Sequence, residues 1–193
     1  MNQNLTEIVF ILDRSGSMSG LENDTIGGFN GFVRKQAEIG QTILTTILFD
    51  DKYEILHNGI DAKNVHITGQ EYYTRGATAL LDAIGKTIND VGKRLAETPE
   101  ASRPGKVIFV ITTDGLENAS REFSYGEIKR MITLQTNKYN WEFIFMGANI
   151  DVAAEGGKLG IQANHSFAFM ANSKGIGNMY ADVDFACAEI RSR

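Results

Sequence analysis

The sequence predicts an α/β fold with a doubly wound, mostly parallel sheet of six strands, one antiparallel edge strand and helices on both faces. Short apolar runs rich in Val, Ile and Phe alternate with segments of helical period, which is typical of strands buried on both faces of a parallel sheet. One pair of runs is joined by a tight turn, which indicates a hairpin at one edge. The 193 residues are sufficient for a single domain, and we predict one domain over residues 1–193.

The first half of the chain supplies one strand, one helix and the hairpin. "EIVFILD", residues 7–13, predicts the first strand, and a stripe of apolar residues from Ile26 to Ala37 predicts a helix that ends at Gly40. "QTILTTILFDDKYEILH", residues 41–57, contains two strand-like runs around Asp50 and Asp51. The turn has no room for a crossover helix, so the second of these strands is antiparallel.

The second half alternates helices and strands. Apolar residues at intervals of three or four predict a long helix over residues 79–96. Three further apolar runs, at 106–115, 141–150 and 165–172, predict strands, with a helix after each of them; the last helix carries an apolar stripe from Met179 to Ile190. This alternation completes a Rossmann-like order of elements.

Composition and charge exclude several classes of partner. The net charge of -5 and the scattered lysines and arginines argue against a surface that follows nucleic-acid phosphates. The single cysteine, Cys187, cannot form an internal disulfide and fits a reducing compartment. The first residues lack the pattern of a signal peptide, and no apolar run approaches the roughly 20 residues of a membrane span. We therefore expect a soluble cytoplasmic protein without nucleic-acid or membrane partners.

Oxygen-bearing side chains follow two of the predicted strands. Asp13, Ser15 and Ser17 follow the first strand, Asp114 ends the fourth, and Thr78 precedes the long helix. In doubly wound sheets, ligands bind beyond the carboxyl ends of the strands where the strand order reverses, so we expect these residues to share one crevice. Carboxylates and hydroxyls are hard oxygen ligands that suit Mg²⁺ or Mn²⁺. Two aspartates balance a divalent charge, which leaves the metal able to accept an external carboxylate.

Three motifs carry a family resemblance. "DRSGSM" matches the Asp-x-Ser-x-Ser motif of von Willebrand factor type A (vWA) domains, and "GATALLDAI" and "ITTDG" resemble the motifs that complete their metal-ion-dependent adhesion site (MIDAS). The resemblance covers nearly the whole chain. It implies that Ser15, Ser17 and Thr78 contact the metal directly, while Asp13 and Asp114 act through water or by orienting the hydroxyls. The chain resembles the compact stand-alone intracellular members of bacteria and phages.

Three functions remain open. The first is a binding module, in which Mg²⁺ or Mn²⁺ recognises an aspartate or glutamate of a partner protein. The second is a metal-dependent hydrolase or phosphotransferase with Asp13 as nucleophile or base. The chain has no Walker loop, and Ser15 replaces the acid expected two residues after a phosphatase-type nucleophile, so the module is favoured over the enzyme. The third is a metal-free structural domain.

Other polar residues have two interpretations each. Arg14 and Arg75 either steer an acidic partner or are ordinary loop arginines. Asp50 and Asp51 could bind a second cation, but solvated turn acids are favoured, and Cys187 is predicted to be a buried structural thiol. The histidines have no ligand-like spacing.

We expect the following residues to form the contact surface around the metal: Met18, Leu21, Leu116, Glu117, Asn118 and Phe123.

Overall fold

The computed structural model describes all residues from Met1 to Arg193. The elements follow the predicted order. The strands are β1 (Asn2–Asp13), β2 (Thr42–Phe49), β3 (Tyr53–Asp61), β4 (Pro104–Asp114), β5 (Glu142–Ala148) and β6 (Ser166–Ala168). The helices are α1 (Glu22–Ile39), α2 (Leu80–Glu97), α3 (Tyr125–Tyr139), α4 (Val152–Leu159) and α5 (Ser173–Ser192). No helix combines the length and apolar character that a membrane crossing requires.

The sheet has the order β3-β2-β1-β4-β5-β6. Every neighbouring pair is parallel except β2 and β3, which form the antiparallel edge hairpin. The chain runs outward from β1 to β3, returns to the centre at β4 and then runs outward to β6. The predicted fold class is therefore confirmed, and the strand order reverses between β1 and β4, where a ligand is expected.

The side chains of β1 alternate between two cores. Phe10 packs on the face covered by α1 and α5, where its ring meets Phe29 edge-on at a centroid distance of 5.4 Å. Val9 and Ile11 pack on the opposite face against α2, α3 and α4. Cys187 is buried in the first core, which confirms that prediction. Because both faces of the sheet are covered by apolar cores, the polar residues of the central strands are concentrated at the strand ends.

Both ends of helix α3 are defined by specific residues. It begins with a capping box, in which the side chain of Ser124 accepts from the Glu127 N–H and the Glu127 carboxylate accepts from the Ser124 N–H. It ends at Asn140, which adopts a left-handed conformation with φ 55°. The side chain of Asn140 is exposed and makes no hydrogen bond.

The tip of the β2–β3 hairpin is partly buried, contrary to the prediction that both of its acids are solvated. Asp51 is exposed, but Asp50 is fully buried. Oδ2 of Asp50 accepts from Nε of Arg14 at 3.1 Å and from Nε of Arg75 at 2.6 Å. Arg14 is itself fully buried and also donates to Glu54. A buried carboxylate requires an opposite charge, and both arginines provide it to Asp50. Because Arg14 is also fully buried, it cannot steer an acidic partner towards the site.

Candidate metal centre

The carboxylate of Asp13 joins the ends of the two central strands. Its Oδ1 accepts from the Ser15 N–H at 2.7 Å. Its Oδ2 accepts from the Asp114 N–H at 3.1 Å and from Oγ1 of Thr113 at 2.9 Å. The N–H groups of Ser15 and Asp114 lie at the ends of β1 and β4, and the buried carboxylate provides the hydrogen-bond acceptor for both. Asp13 therefore fixes the loop after β1 against the end of β4.

A single short turn brings the two predicted serines together. Residues Gly16–Met18 form one turn of 3-10 helix, and the Oγ atoms of Ser15 and Ser17 lie 3.1 Å apart. Ser17 is exposed and donates to the backbone carbonyl of Asp114 at 2.7 Å, whereas Ser15 is buried. The two hydroxyls thus lie side by side at the carboxyl end of β4.

The loop that carries Thr78 is held against the loop after β1 by hydrogen bonds to backbone carbonyls. The hydroxyl of Tyr72 donates to the backbone carbonyl of Asp13 at 2.8 Å. The N–H of Gly16 donates to the carbonyl of Gly76 at 3.2 Å. Gly76 has a φ of 68°, a left-handed conformation that glycine adopts without steric cost. These contacts place the loop that carries Thr78 beside the loop after β1.

The loop after β4 closes the other side of Thr78. The N–H of Thr78 donates to Oδ1 of Asn118 at 2.9 Å, and the N–H of Asn118 donates to the carbonyl of Thr78 at 3.0 Å. One residue earlier, the Glu117 carboxylate accepts from the Leu81 N–H at 3.0 Å in the first turn of α2. Glu117 and Asn118 are therefore used to join the two loops.

The predicted contact surface is only partly exposed. Leu116 is 57% exposed beside the site and is available to a partner. Met18 is only 3% exposed and belongs to the core, so its predicted role is wrong. Phe123 packs over Gly85 of α2, where its ring lies 2.7 Å from the position that a Cβ would take. Its half-buried side chain covers the helix.

One residue of the site was missed at the sequence level. The carboxamide nitrogen of Asn149 donates to Oδ1 of Asp114. Asn149 follows β5 directly and is exposed, with a left-handed φ of 58°. It belongs to none of the three motifs, but it is a polar residue at the carboxyl end of β5, the strand that pairs with β4. That position was the available signal, because the same rule identified Asp13 and Asp114.

Neither carboxylate of the site forms an ion pair with a lysine or an arginine. Burial raises the pKa of Asp13, and its hydrogen bonds offset this only in part. Burial also raises the pKa of Asp114; the hydrogen bond from Asn149 opposes this rise, and the charge of Asp13 adds to it. The neighbouring arginines are paired with Asp50. Two acids with neutral hydroxyls beside them form a hard-oxygen donor set that fits a divalent cation.

No protein-family model matches the sequence, and no curated protein matches it. Solved structures do match. Proximal thread matrix protein 1 from the mussel byssus, with a zinc-occupied MIDAS motif, is 15% identical with a TM-score of 0.64 over 96% of this chain and 47% of that protein. The chain spans about half of the mussel protein's length.

Two further matches cover more of the compared protein. The manganese-loaded TRAP protein of Plasmodium vivax is 15% identical, with a TM-score of 0.64 over 93% of this chain and 73% of that one. The vWF domain of the type V pili tip protein Mfa5 from Porphyromonas gingivalis is 11% identical, with a TM-score of 0.66 over 94% and 95% of the two chains. At these identities the likeness shows the fold, and it confirms the predicted resemblance at that level.

Proposed function

We propose that this chain, which has the fold of von Willebrand factor type A domains, is a divalent-metal-dependent protein-binding module and not an enzyme. The metal, Mg²⁺ or Mn²⁺, is held by Asp13, Ser15, Ser17, Thr78 and Asp114. The observation that carries the proposal is the convergence on Asp13 of the loops that bear these residues. Its buried carboxylate accepts from the N–H groups of Ser15 and Asp114, and its backbone carbonyl accepts from Tyr72 in the loop that leads to Thr78.

The roles proposed for the residues are those that the resemblance to vWA domains implies. Ser15, Ser17 and Thr78 offer neutral hydroxyls to the cation, and Asp13 and Asp114 balance its charge from behind them. When bound, the cation supplies a Lewis-acidic position for one further oxygen. A carboxylate from an aspartate or glutamate of another protein is the ligand that this charge balance favours, because the protein itself contributes only two acids.

The geometry opposes the hydrolase alternative. Both carboxylate oxygens of Asp13 already accept hydrogen bonds, and the side chain is fully buried. A nucleophile or general base must reach the reacting atom, and Asp13 is turned into the protein instead. The zinc and the manganese reported for the mussel and Plasmodium proteins agree with a divalent site on this fold.

The metal is tested by thermal unfolding of chelator-treated protein against Mg²⁺ and Mn²⁺. At about a hundred times its dissociation constant, a ligand that binds only the folded state stabilises by about 2.7 kcal/mol. For a chain of this size that raises the unfolding midpoint by about 5–10 °C. We expect the rise to disappear in Asp13→Ala and to persist in Asp182→Ala, an exposed acid on α5. A parent protein that shows no rise with either metal contradicts the proposal.

The partner's chemistry is tested with paired peptides. Each peptide that contains an aspartate or glutamate is compared with a twin that contains asparagine or glutamine, with Mn²⁺ and with a chelator. Binding that requires both the metal and the carboxylate is expected. Equal binding of the twins would rule out recognition of an acid. The cytoplasmic location remains part of the proposal, and fractionation of the cells that make the protein tests it.

A further inference from the structure

We propose that Asn149 is a positioning residue of the metal centre, which holds Asp114 in place and preserves the charge balance that favours an acidic ligand. The proposal rests on the proposed function. It adds a fourth segment, the end of β5, to the three motif segments that the sequence identifies.

The contact fixes the orientation of both side chains. An ionised carboxylate can only accept hydrogen bonds, so the carboxamide of Asn149 must present its N–H₂ group to Oδ1 of Asp114. The other oxygen of Asp114, Oδ2, accepts no hydrogen bond from the protein. Asp114 is thus restrained at one oxygen and available at the other. Without Asn149, no hydrogen bond from the protein would restrain the carboxylate of Asp114.

The backbone at Asn149 shows why an asparagine there is informative. Only two residues other than glycine have a positive φ, Asn140 at 55° and Asn149 at 58°. Asparagine tolerates this conformation better than most residues, but glycine adopts it at no steric cost. The side chain of Asn140 makes no hydrogen bond, so the backbone preference of asparagine is sufficient to explain the choice of residue at position 140. The side chain of Asn149 makes a hydrogen bond to the metal centre, which a glycine could not make.

The neutrality of the carboxamide matters for ligand choice. Asp13 and Asp114 together match the charge of a divalent cation. A carboxylate at position 149 could not donate to Asp114 and would be a third acid at the site, so it would repel an incoming carboxylate. The inference therefore predicts that an acid at position 149 weakens the response to a carboxylate ligand even when the metal site is saturated, which a merely structural role of Asn149 does not.

The first test compares Asn149→Gly with Asn140→Gly, a matched control at the other left-handed asparagine. Both variants relieve the backbone equally and should fold, which thermal unfolding without metal verifies. Mn²⁺ affinity is measured by titration calorimetry on chelator-treated protein. We expect Asn149→Gly to bind Mn²⁺ about 10-fold to 100-fold more weakly than the parent, as for other residues that orient metal ligands. Asn140→Gly should bind like the parent.

The second test uses Asn149→Asp with acetate as a probe carboxylate. Acetate that displaces water from bound Mn²⁺ lowers the water proton relaxation rate. At Mn²⁺ concentrations that saturate each protein, we expect Asn149→Asp to require a higher acetate concentration than the parent for the same decrease.

The outcomes separate the two proposals. If the parent binds Mn²⁺ but both glycine variants match it, the role of Asn149 is overturned and the proposed function stands. Equal acetate responses in the parent and in Asn149→Asp would overturn its part in ligand choice. If the parent binds no Mn²⁺, the proposed function itself is wrong, and the role of Asn149 falls with it.

Discussion

Asp50 offers the sharpest test of how the loops around the site are held. We predict that Asp50→Asn destabilises the fold, although the residue lies in the turn of an edge hairpin. Asparagine keeps the volume and can still accept from the Lys52 N–H, as Oδ1 of Asp50 does at 2.6 Å. It removes the charge that faces Arg14 and Arg75. The control is Asp51→Asn, the same change one residue later at an exposed side chain without an ion pair.

The magnitude follows from the burial of the partners. Arg14 is fully buried and its Nη1 has no hydrogen-bond acceptor, so after the change only Glu54 would balance it. Removing one partner of a buried ion pair costs about 3–5 kcal/mol. Arg75 has a side chain 36% exposed and would be rehydrated, so it adds little. For a domain of this size, the unfolding midpoint should fall by about 6–20 °C.

The dependence on pH gives the prediction a second signature. Burial raises the pKa of Asp50, but the hydrogen bonds from Arg75 and Lys52 and the charges of both arginines outweigh it, so its pKa lies below the ordinary 3.8. An acid with a lowered pKa stabilises the fold above its unfolded pKa, and this contribution is lost as the pH falls through the folded value. The difference in unfolding free energy between parent and variant should therefore be constant near neutrality and shrink below pH 3.8.

Chemical denaturation of the parent and both variants at several pH values measures these differences directly. A decrease for Asp50→Asn no larger than that for Asp51→Asn would refute the reasoning. It would mean that Arg14 finds another partner or reaches solvent when the carboxylate is removed. A difference that persists undiminished at low pH would show that the ion pairs are not its source.

Three further predictions concern packing, reactivity and metal binding. In denaturant titrations, Gly28→Ala should destabilise the fold by about 1–3 kcal/mol, because its Cβ would lie 2.2 Å from the Tyr180 ring. Gly27→Ala has open space around its Cβ and should stabilise the fold by about 0.5–1 kcal/mol. Equal effects of the two substitutions would contradict the contact with Tyr180. Burial raises the pKa of the Cys187 thiol to about 12, so iodoacetamide should label it only after unfolding, as mass spectrometry would detect. Because burial raises the pKa values of both metal-site carboxyl groups, protons should compete with Mn²⁺ more strongly than at ordinary carboxyl groups, and calorimetry at successively lower pH should show a falling affinity.

The order of the elements and the motif segments could be predicted because their signals are local. Each buried strand is a continuous apolar run, and the residues that follow β1 and β4 identify the crevice by their position alone. Asp50 could not be interpreted in this way. Its burial depends on a loop some 25 residues later, and a turn aspartate has the same local sequence whether or not Arg75 folds over it.

The remaining errors have similar physical causes. Met18 is adjacent to the exposed Ser17, and one turn of 3-10 helix is enough to direct the two side chains to opposite sides. Asn149 has the appearance of an ordinary turn residue after a strand. Its significance comes from Asp114, a residue 35 positions earlier that only the parallel pairing of β4 and β5 brings beside it.

The hairpin tip also has a consequence for protein engineering. Exposed turns usually accept inserted peptides, and a two-strand connection at a sheet edge would be an obvious place for a tag or a fused domain. Here the N–H of Arg14 donates to the carbonyl of Phe49, and the N–H of Ala79 donates to that of Asp50, so the tip anchors both loops beside it. An insertion between residues 50 and 53 would displace those loops. The exposed turn at residues 69–70 lacks such anchoring to the metal loops and is the better site for a fusion.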